Sequence, residues 1–273
     1  MKIRILFVLI LINFFNFINI KTVFSKNFLR PISSERPSKS DNSTTINKNI
    51  FQIESSLISK TIDKKNANKI TRLNFFDFTM LRYGITDSFE IQYIDNFLIS
   101  SYKNHQTNIN YQNINSGDKF LRLKKNIFGN DSGKFALSLT AFNKIYTANN
   151  RLAKEALQSG LIAPFSYNIS NQFTFGGMLQ TNLYRGNNID GKNNYFGFIN
   201  SYYLSSNFTE KFSSYIELYS LTLNNKKKIY KNYLDFGLNY LINDNFKIDS
   251  GINLGINKNA DNLQYFSGFT ARF

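Results

Sequence analysis

The stretch FKIDSGINLGI, residues 246–256, shows the pattern that decides the fold. Its side chains alternate along the chain, as they do in a β-strand whose two faces meet different surroundings. One face carries Phe246, Ile248, Ser250, Ile252, Leu254 and Ile256, and the other carries Lys247, Asp249, Gly251, Asn253 and Gly255. A tilted strand of roughly 10 residues with one apolar face is long enough to cross a membrane.

Similar segments fill the rest of the chain from about residue 49. They predict twelve strands, at about 49–59, 70–83, 88–101, 118–127, 134–146, 160–168, 172–185, 194–205, 212–223, 229–241, 246–256 and 263–273. Short turns between them alternate with longer polar loops at 60–69, 102–117, 147–159, 186–193 and 224–228. Short periplasmic turns, longer outer loops and an even strand number are typical of membrane barrels. The sequence therefore predicts an all-β fold, a transmembrane antiparallel up-and-down β-barrel, with a soluble sandwich or lipocalin-like barrel as the alternative.

Two segments do not follow this pattern simply. In 70–83, a regular strand that turns Leu73 and Leu81 towards lipid also turns Asp77 there, where a charge is costly. A β-bulge between Phe76 and Thr79 would repair the register. In the loop at 147–159, residues 151–158 could form one or two helical turns.

The first 25 residues have the features of a secretory signal peptide. Lys2 and Arg4 precede an apolar run at 5–20, and Val23 and Ser25 occupy the small-residue positions of a cleavage site after Ser25. The run is shorter than the roughly 20 residues of a spanning helix, although an uncleaved anchor is the alternative. Residues 26–47 are polar and predict an extended periplasmic or lumenal segment. Residues 48–273 are expected to form the barrel.

The composition sets limits on partners. The chain carries a formal charge of +15, which can favour nucleic acid, an anionic membrane surface or acidic solutes. No helix-turn-helix, zinc-ligand set or RNA-binding aromatic motif occurs, so we expect no nucleic-acid partner. The sequence contains no cysteine, which excludes disulfides and thiolate metal sites, and we expect no cofactor and no metal.

The C-terminus carries a second signal. The chain ends at Phe273, and Tyr265, Ser267, Phe269 and Ala271 alternate back from it. A terminal aromatic residue on an alternating last strand resembles the signal that the barrel-assembly machinery of Gram-negative outer membranes reads. We therefore expect Phe273 to act in assembly.

Several short motifs follow one another in a recognisable order. They are RPSKSD at 36–41, FQIE at 51–54, LRYGITD at 81–87 followed by FEI at 89–91, IELY at 216–219 and GFTARF at 268–273. This order resembles the outer-membrane transporter family catalogued as "putative MetA-pathway of phenol degradation", over nearly the whole mature chain. Thr270-Ala271 departs from the family's Gly-Phe-Ser-x-Arg-Phe ending. The resemblance implies a barrel in the cell outer membrane and, for function, the uptake of aromatic or hydrophobic compounds.

Charged and polar side chains on the predicted inward faces are the candidate lumen residues. They are Glu54, Arg72, Arg82, Glu90, Gln92, Arg122, Lys124, Glu217, Asp235, Lys247 and Asp249. Such groups either pair with one another and fill the interior, or select solutes. Lys64-Lys65 and Lys226-Lys227-Lys228 lie in predicted outer loops, where they are solvated or contact lipopolysaccharide.

Three hypotheses for function follow. The first is a passive outer-membrane channel or transporter for small, hydrophobic or aromatic molecules, with a polar-lined lumen. The second is a structural or surface-interaction barrel with a closed lumen. The third, a barrel hydrolase, would need His105, the single histidine, as a base, and no partner pattern surrounds it in the sequence. We therefore expect no enzyme activity. The expected partners are outer-membrane lipid, lipopolysaccharide, the barrel-assembly machinery and a small solute.

Overall fold

A computed structural model describes residues 29–65, 68–104, 107, 110–131, 133–145, 155–188, 191–224 and 228–273. The predicted signal peptide and His105 lie outside these residues, and cleavage after Ser25 stays a prediction. The described part of the chain contains no helix that is long and apolar enough to span a membrane. Among the same residues, no three or more His, Cys, Asp or Glu side chains are placed so that they could hold a metal ion. The unit from Arg30 to Arg272 forms the barrel.

Thirteen strands make up one antiparallel sheet. They are β1 (Phe51–Lys65), β2 (Asn68–Phe75), β3 (Thr79–Thr86), β4 (Phe89–Asn104), β5 (Asn110–Phe128), β6 (Phe135–Ile145), β7 (Glu155–Asn168), β8 (Phe173–Asn188), β9 (Gly191–Asn207), β10 (Phe212–Asn224), β11 (Lys228–Asn243), β12 (Phe246–Gly255) and β13 (Leu263–Arg272). Each strand pairs with its sequence neighbours, except that β2 and β3 do not pair with each other but each pair with β1 and β4. β13 pairs with β1 from Gln52↔Arg272 to Ile62↔Leu263. The sheet is therefore closed, which leaves no unpaired edge.

Strands β2 and β3 together occupy one position in the barrel, so that thirteen strands form a twelve-strand wall. Both pair with β1 on one side and with β4 on the other. They are separated at residues 76–78, where Phe76 has a positive φ of 53°. The irregularity lies where the sequence predicts a bulge. It turns the Asp77 carboxylate onto the hydroxyls of Ser56 and Ser59, each at 2.5 Å.

The two faces of the wall differ as the alternation predicts. Asn253 is buried, whereas Ile252 and Leu254 on its flanks are half-buried on the outer face. Large apolar side chains form an exposed outer band that includes Leu121, Leu139, Leu161, Leu179, Phe198, Tyr202, Ile216, Leu218, Phe236, Leu238, Ile248 and Tyr265. An apolar outer band around a polar interior is the arrangement of a barrel embedded in lipid.

The predicted outer loops are wrong in their extent, because most of their residues continue the strands. β1 runs on to Lys65 and β5 begins at Asn110, well inside the predicted loops. Polar side chains on both faces remove the alternation signal, but the backbone ladder needs no alternation to continue. The predicted helical turn at 151–158 is also wrong for residues 155–158, which lie in β7. Residues 151–154 are outside the described residues.

Inward glycines make room for aromatic rings on neighbouring strands. A Cβ at Gly237 would overlap the ring of Tyr215, and one at Gly176 would overlap the ring of Tyr203. The rings therefore lie flat against the backbone of the adjacent strand instead of projecting across the interior. Both rings line the cavity that adjoins the N-terminal end of the chain's described part.

Candidate functional site: the lumen and its N-terminal segment

Residues 30–50, the N-terminal segment, contain no strand and lie against the inner wall of the barrel. Several of their backbone N–H groups donate hydrogen bonds to carboxylates that project inward from the strands. Glu54 Oε2 accepts from the N–H of Glu35 at 2.9 Å, and Glu90 Oε2 accepts from the N–H of Ile46 at 2.7 Å. An extended segment without ladder partners needs such acceptors, because buried N–H groups that stay unbonded are costly. The wall carboxylates therefore replace a neighbouring strand.

Glu217 on β10 holds the middle of the segment in the same way. Its two carboxylate oxygens accept from the backbone N–H of Lys39 at 2.8 Å and of Ser40 at 2.9 Å. The Ser40 hydroxyl also contacts Glu217 and lies 2.5 Å from the hydroxyl of Ser201. The buried Glu217 side chain therefore binds three polar groups of the segment, namely two backbone N–H groups and one hydroxyl.

Arg82 is the centre of a buried ion cluster. Its guanidinium lies 2.8 Å from Glu54 Oε1, donates two hydrogen bonds of 2.9 Å to Glu90, and lies 3.4 Å from Glu35 of the segment. Lys124 Nζ approaches the same Glu35 carboxylate at 2.6 Å. Burial acts to raise the pKa of Glu35, but the positive charges of Lys124, Arg82 and Arg122 outweigh it and lower this pKa to about 2. Glu35 is therefore a carboxylate at all physiological pH values.

On the other side of the lumen, cations of the segment bind acids of the wall. Lys39 Nζ lies 2.8 Å from Asp235, and its ammonium is 4.8 Å from the centre of the Tyr233 ring. Arg36 lies 2.7 Å from Asp249. Burial lowers the pKa of Lys39, and the charge and hydrogen bond of Asp235 oppose that shift. Here the segment supplies the cations and the wall supplies the acids, whereas in the Arg82 cluster the segment supplies the acid Glu35.

Most of the sequence-predicted lumen residues are brought together by the structure. Glu54, Arg82, Glu90, Gln92, Arg122, Lys124, Glu217, Asp235 and Asp249 are all buried, and each contacts the segment or a partner of it. Lys247 is half-buried and lines a cavity described below. Arg72 lies apart, because it is half-exposed and pairs with Asp261 at 3.5 Å near the outer end of the wall. Phe273 directly follows Arg272, the last residue of β13.

The charged partners in the segment, Glu35, Arg36, Lys39 and Asp41, are not among the lumen residues that the sequence predicts. A lumenal course for residues 26–47 was one of two alternatives. The alternating charges in Glu35-Arg36-Pro37-Ser38-Lys39-Ser40-Asp41 are the signal that would have pointed to them, because the predicted inward strand faces carry the complementary charges.

Two cavities lie along the segment. One of about 390 Å³ is lined by Phe78, Met80, Met178, Tyr219 and Phe266 together with Asp77 and Asn253, and is called here the aromatic cavity. The other, of about 360 Å³, is lined by Tyr203, Tyr215, Asn239 and Lys247 and by residues from Arg30 onwards. Residues 36–38 and Asp41 line both. The middle of the segment therefore adjoins both cavities.

Known structures share this fold. An outer-membrane channel from Pseudomonas putida F1 is 10% identical, with a TM-score of 0.66 over 92% of this chain and 100% of that one. The NanC porin is 12% identical, with a TM-score of 0.51 over 81% and 98% of the two chains. The translocator domain of the autotransporter NalP from Neisseria meningitidis is 11% identical, with a TM-score of 0.51 over 83% and 89%. No curated protein matches the chain by sequence.

A closed antiparallel barrel with an apolar outer band and a charged interior is the architecture of an outer-membrane β-barrel. The chain belongs to the family described as "Putative MetA-pathway of phenol degradation", whose model matches residues 34–273. The fold class, the family and the outer-membrane location predicted from the sequence are confirmed.

Proposed function

We propose that the protein is a passive channel for small amphipathic molecules, and that its N-terminal segment sets the width of the path. The observation that carries this proposal is the pair of cavities that share residues 36–38 and Asp41 as lining. A solute that crosses the barrel along its axis has to pass these residues. The interior is thus constricted by a segment that side chains hold in place, not by the closed wall itself.

The lining of the aromatic cavity indicates the class of solute. Phe78, Phe266 and Tyr219 supply apolar and aromatic surface, and Arg36 lies 6.0 Å from the Phe78 ring and 5.8 Å from the Phe266 ring. An aromatic ring with one polar substituent fits such a surface, since the ring packs on the side chains and the substituent bonds to a polar group. The phenol-degradation description of the family agrees with this class.

The closed structural barrel remains the second candidate, on one specific observation. The buried charges Arg82, Glu54, Glu90, Glu35 and Lys124 form one mutually paired cluster, which fills part of the interior. The two candidates differ in conductance. A channel gives steps of current in a planar bilayer, and a closed barrel gives none.

The decisive experiment compares the full mature chain with a variant that lacks residues 30–45. We expect small conductance steps for the mature chain and larger ones for the deletion. A liposome-swelling panel of sugars, amino acids and phenolic compounds then defines the solute. Absence of conductance from both proteins, each shown to be folded by heat-modifiable migration, would favour the closed barrel.

The same proposal includes the absence of catalysis and contacts with lipopolysaccharide and the barrel-assembly machinery. Transport without catalysis is proposed, and replacing His105 with Ala should leave transport unchanged. Lys64 is exposed at the outer end of β1, in a position to attract the anionic groups of lipopolysaccharide. Recognition by the barrel-assembly machinery is proposed for the Phe273 end and is tested below.

A further inference from the structure

Lys247 on β12 is a lumenal cation without a directly bound counter-ion. Its ammonium makes no hydrogen bond and no ion pair with any residue that the structure describes. The charges of Glu54 and Asp249 reach Lys247, but both acids are bound by other cations. Arg82 lies 2.8 Å from Glu54, and Arg36 lies 2.7 Å from Asp249. A charge inside a protein is costly unless it is paired, so the ammonium of Lys247 is available to an anionic ligand.

Arg272 on β13 places a second cation on the same part of the inner face. Lys247 is paired with Thr270 in the β12–β13 ladder, which makes Arg272 its diagonal neighbour on that face. The guanidinium of Arg272 donates to two backbone carbonyls and to the side-chain oxygen of Asn245, all of them uncharged groups. Within the described part of the chain, neither cation therefore has a carboxylate as its direct partner.

Lys247 lines the second cavity, of about 360 Å³, which is called here the basic cavity. The N-terminal segment and strands β9 to β12 supply its lining, beside the short turns that mark the periplasmic end of the barrel. Its charged lining residues are three cations, Arg30, Arg36 and Lys247, and one acid, Asp41, which is bound by Arg122. A cavity with such an excess of positive charge attracts anions.

Two further polar groups in the lining lack a partner among the described residues. Tyr215 is only 7% exposed, and its hydroxyl makes no hydrogen bond there; the same holds for the side-chain oxygen of Asn239. A phenol hydroxyl donates to an anion, and an Asn side chain can present either its carbonyl or its NH₂ group. Water satisfies uncharged groups of this kind but leaves the charge of Lys247 uncompensated. An anion with more than one acceptor atom satisfies all three groups.

Apolar surface in the basic cavity indicates what else the anion carries. The rings of Tyr203 and Tyr215 lie on the wall side, and Pro31, Ile32 and Pro37 lie on the segment side. A phosphate or sulfate ion would leave this surface uncovered, whereas an aromatic ring packs against it. A carboxylate has two oxygens, which is one for the ammonium and one for the phenol hydroxyl.

We propose that the basic cavity binds small aromatic carboxylates, with the carboxylate on Lys247 and Tyr215 and the ring against Tyr203 and Pro37. The inference deepens the proposed function and rests on it, because it makes this cavity the last binding site on the path of the solute to the periplasm. Residues 36–38 line both cavities, so a ring that leaves the aromatic cavity reaches the basic cavity next. The acidic substituent then selects which rings are held there.

Binding is measured on the full mature chain in detergent, by fluorine NMR of para-fluorobenzoate. The uncharged para-fluorobenzyl alcohol carries the same ring, and acetate carries the carboxylate without a ring. We expect saturable binding of para-fluorobenzoate, weaker binding of the alcohol, and little displacement of the benzoate by an equal concentration of acetate. Displacement by acetate that is as effective as displacement by unlabelled benzoate would contradict a role for the ring.

The decisive variant is Lys247→Gln, which removes the charge and keeps a polar side chain. We expect it to bind para-fluorobenzoate about tenfold more weakly, the effect of losing one charged hydrogen bond, and to bind the alcohol as before. Lys211→Gln, in the exposed β9–β10 turn at the same end of the barrel, makes the same change in net charge and should bind like the wild type. Wild-type affinity of Lys247→Gln for the benzoate, or an equal loss for both probes, would overturn the proposal.

Tyr215→Phe decides the matter if Lys247→Gln does not fold, as judged by heat-modifiable migration. The Tyr215 hydroxyl has no partner in the described structure, so its removal breaks no hydrogen bond of the wall. We expect several-fold weaker binding of para-fluorobenzoate and unchanged binding of the alcohol. Unchanged binding of both probes would then overturn the proposal.

The outcome is separable from that of the proposed function, because these measurements need no transport. Binding that depends on Lys247 in a protein without conductance would reject the channel and keep the site. Conductance in a protein whose benzoate binding does not depend on Lys247 would reject the site and keep the channel.

Discussion

Lys124 on β5 and Glu35 of the N-terminal segment form a buried ion pair, with Nζ 2.6 Å from Oε1. The same carboxylate lies 3.4 Å from Arg82 on β3, so one residue of the segment connects two strands of the wall. An ion pair between the wall and a segment without secondary structure fixes the position of that segment only while both charges persist. The width of the interior therefore depends on a small number of side chains.

Replacing Glu35 with Gln should loosen the segment. The change leaves Lys124 and Arg82 without their shared carboxylate, and breaking a buried ion pair costs about 3–5 kcal/mol. Because the chain has no cysteine, Ser38→Cys is a clean reporter of the segment in the cavity. We expect faster maleimide labelling of Ser38→Cys in the Glu35→Gln background. Glu210→Gln, in the exposed β9–β10 turn, serves as the control and should leave the rate unchanged.

Acid should release the segment only at low pH. The pKa of Glu35 is lowered to about 2 from an ordinary value of 4.5, so its stabilising contribution is complete above about 4.5 and is lost as the pH falls towards 2. A Ser38→Trp variant reports the position of the segment through acrylamide quenching. Quenching should stay constant from neutral pH to about 4.5 and rise below it.

Two variants identify the carboxyl group responsible for that pH dependence. In Glu35→Gln the rise should be absent or already complete at neutral pH. Burial, aided by the charge of Glu35, raises the pKa of Asp41, so Asp41 loses its charge at a higher pH than an ordinary aspartate. If Asp41→Asn abolishes the rise and Glu35→Gln does not, Asp41 and not Glu35 holds the segment.

The sequence predicts the strands of this protein better than its interior. Alternation in 246–256 places Asn253 inward and Ile252 outward. The two faces of the strand meet different surroundings, so the polarity of each side chain indicates which face it is on. The sequence also predicts the break at 76–78, because a regular strand would turn Asp77 towards lipid. The sequence does not predict the long-range partners of Glu54, Glu90 and Glu217. These carboxylates accept hydrogen bonds from backbone N–H groups, and every residue of the segment except proline carries such a group.

The C-terminal residue should act in assembly. Removing Phe273, or replacing it with Asp, takes the terminal aromatic from the chain that ends in β13, the strand that closes against β1. We expect less of the heat-modifiable, fast-migrating form in the membrane fraction. Phe273→Tyr, which keeps an aromatic ring, should preserve it. Normal levels of folded protein after deletion would exclude an assembly role.

The close contact between Gly237 and the Tyr215 ring should contribute to the stability of the paired strands β10 and β11. Gly237→Ala adds a Cβ that overlaps the Tyr215 ring, and overpacking of this kind costs about 1–3 kcal/mol. Urea unfolding in vesicles measures the loss. The double variant with Tyr215→Ala should recover part of it, because the ring that clashes is gone. Strict additivity of the two changes would show that the ring and the glycine do not interact.

The assignment of the two faces of β12 underlies every statement about the lumen and can be tested directly. Ile252→Arg puts a charge on the lipid face, where it costs about 2–4 kcal/mol at mid-membrane. Asn253→Arg points into the aromatic cavity, whose volume of about 390 Å³ has room for the longer side chain. Urea unfolding should therefore show a large loss of stability for Ile252→Arg and a small one for Asn253→Arg. Conductance should change for Asn253→Arg, because the added cation lies beside the path of the solute. If Asn253→Arg is the more damaging of the two, the interior is too tightly packed for a channel and the closed barrel is favoured; if both are harmless, residues 246–255 do not face lipid.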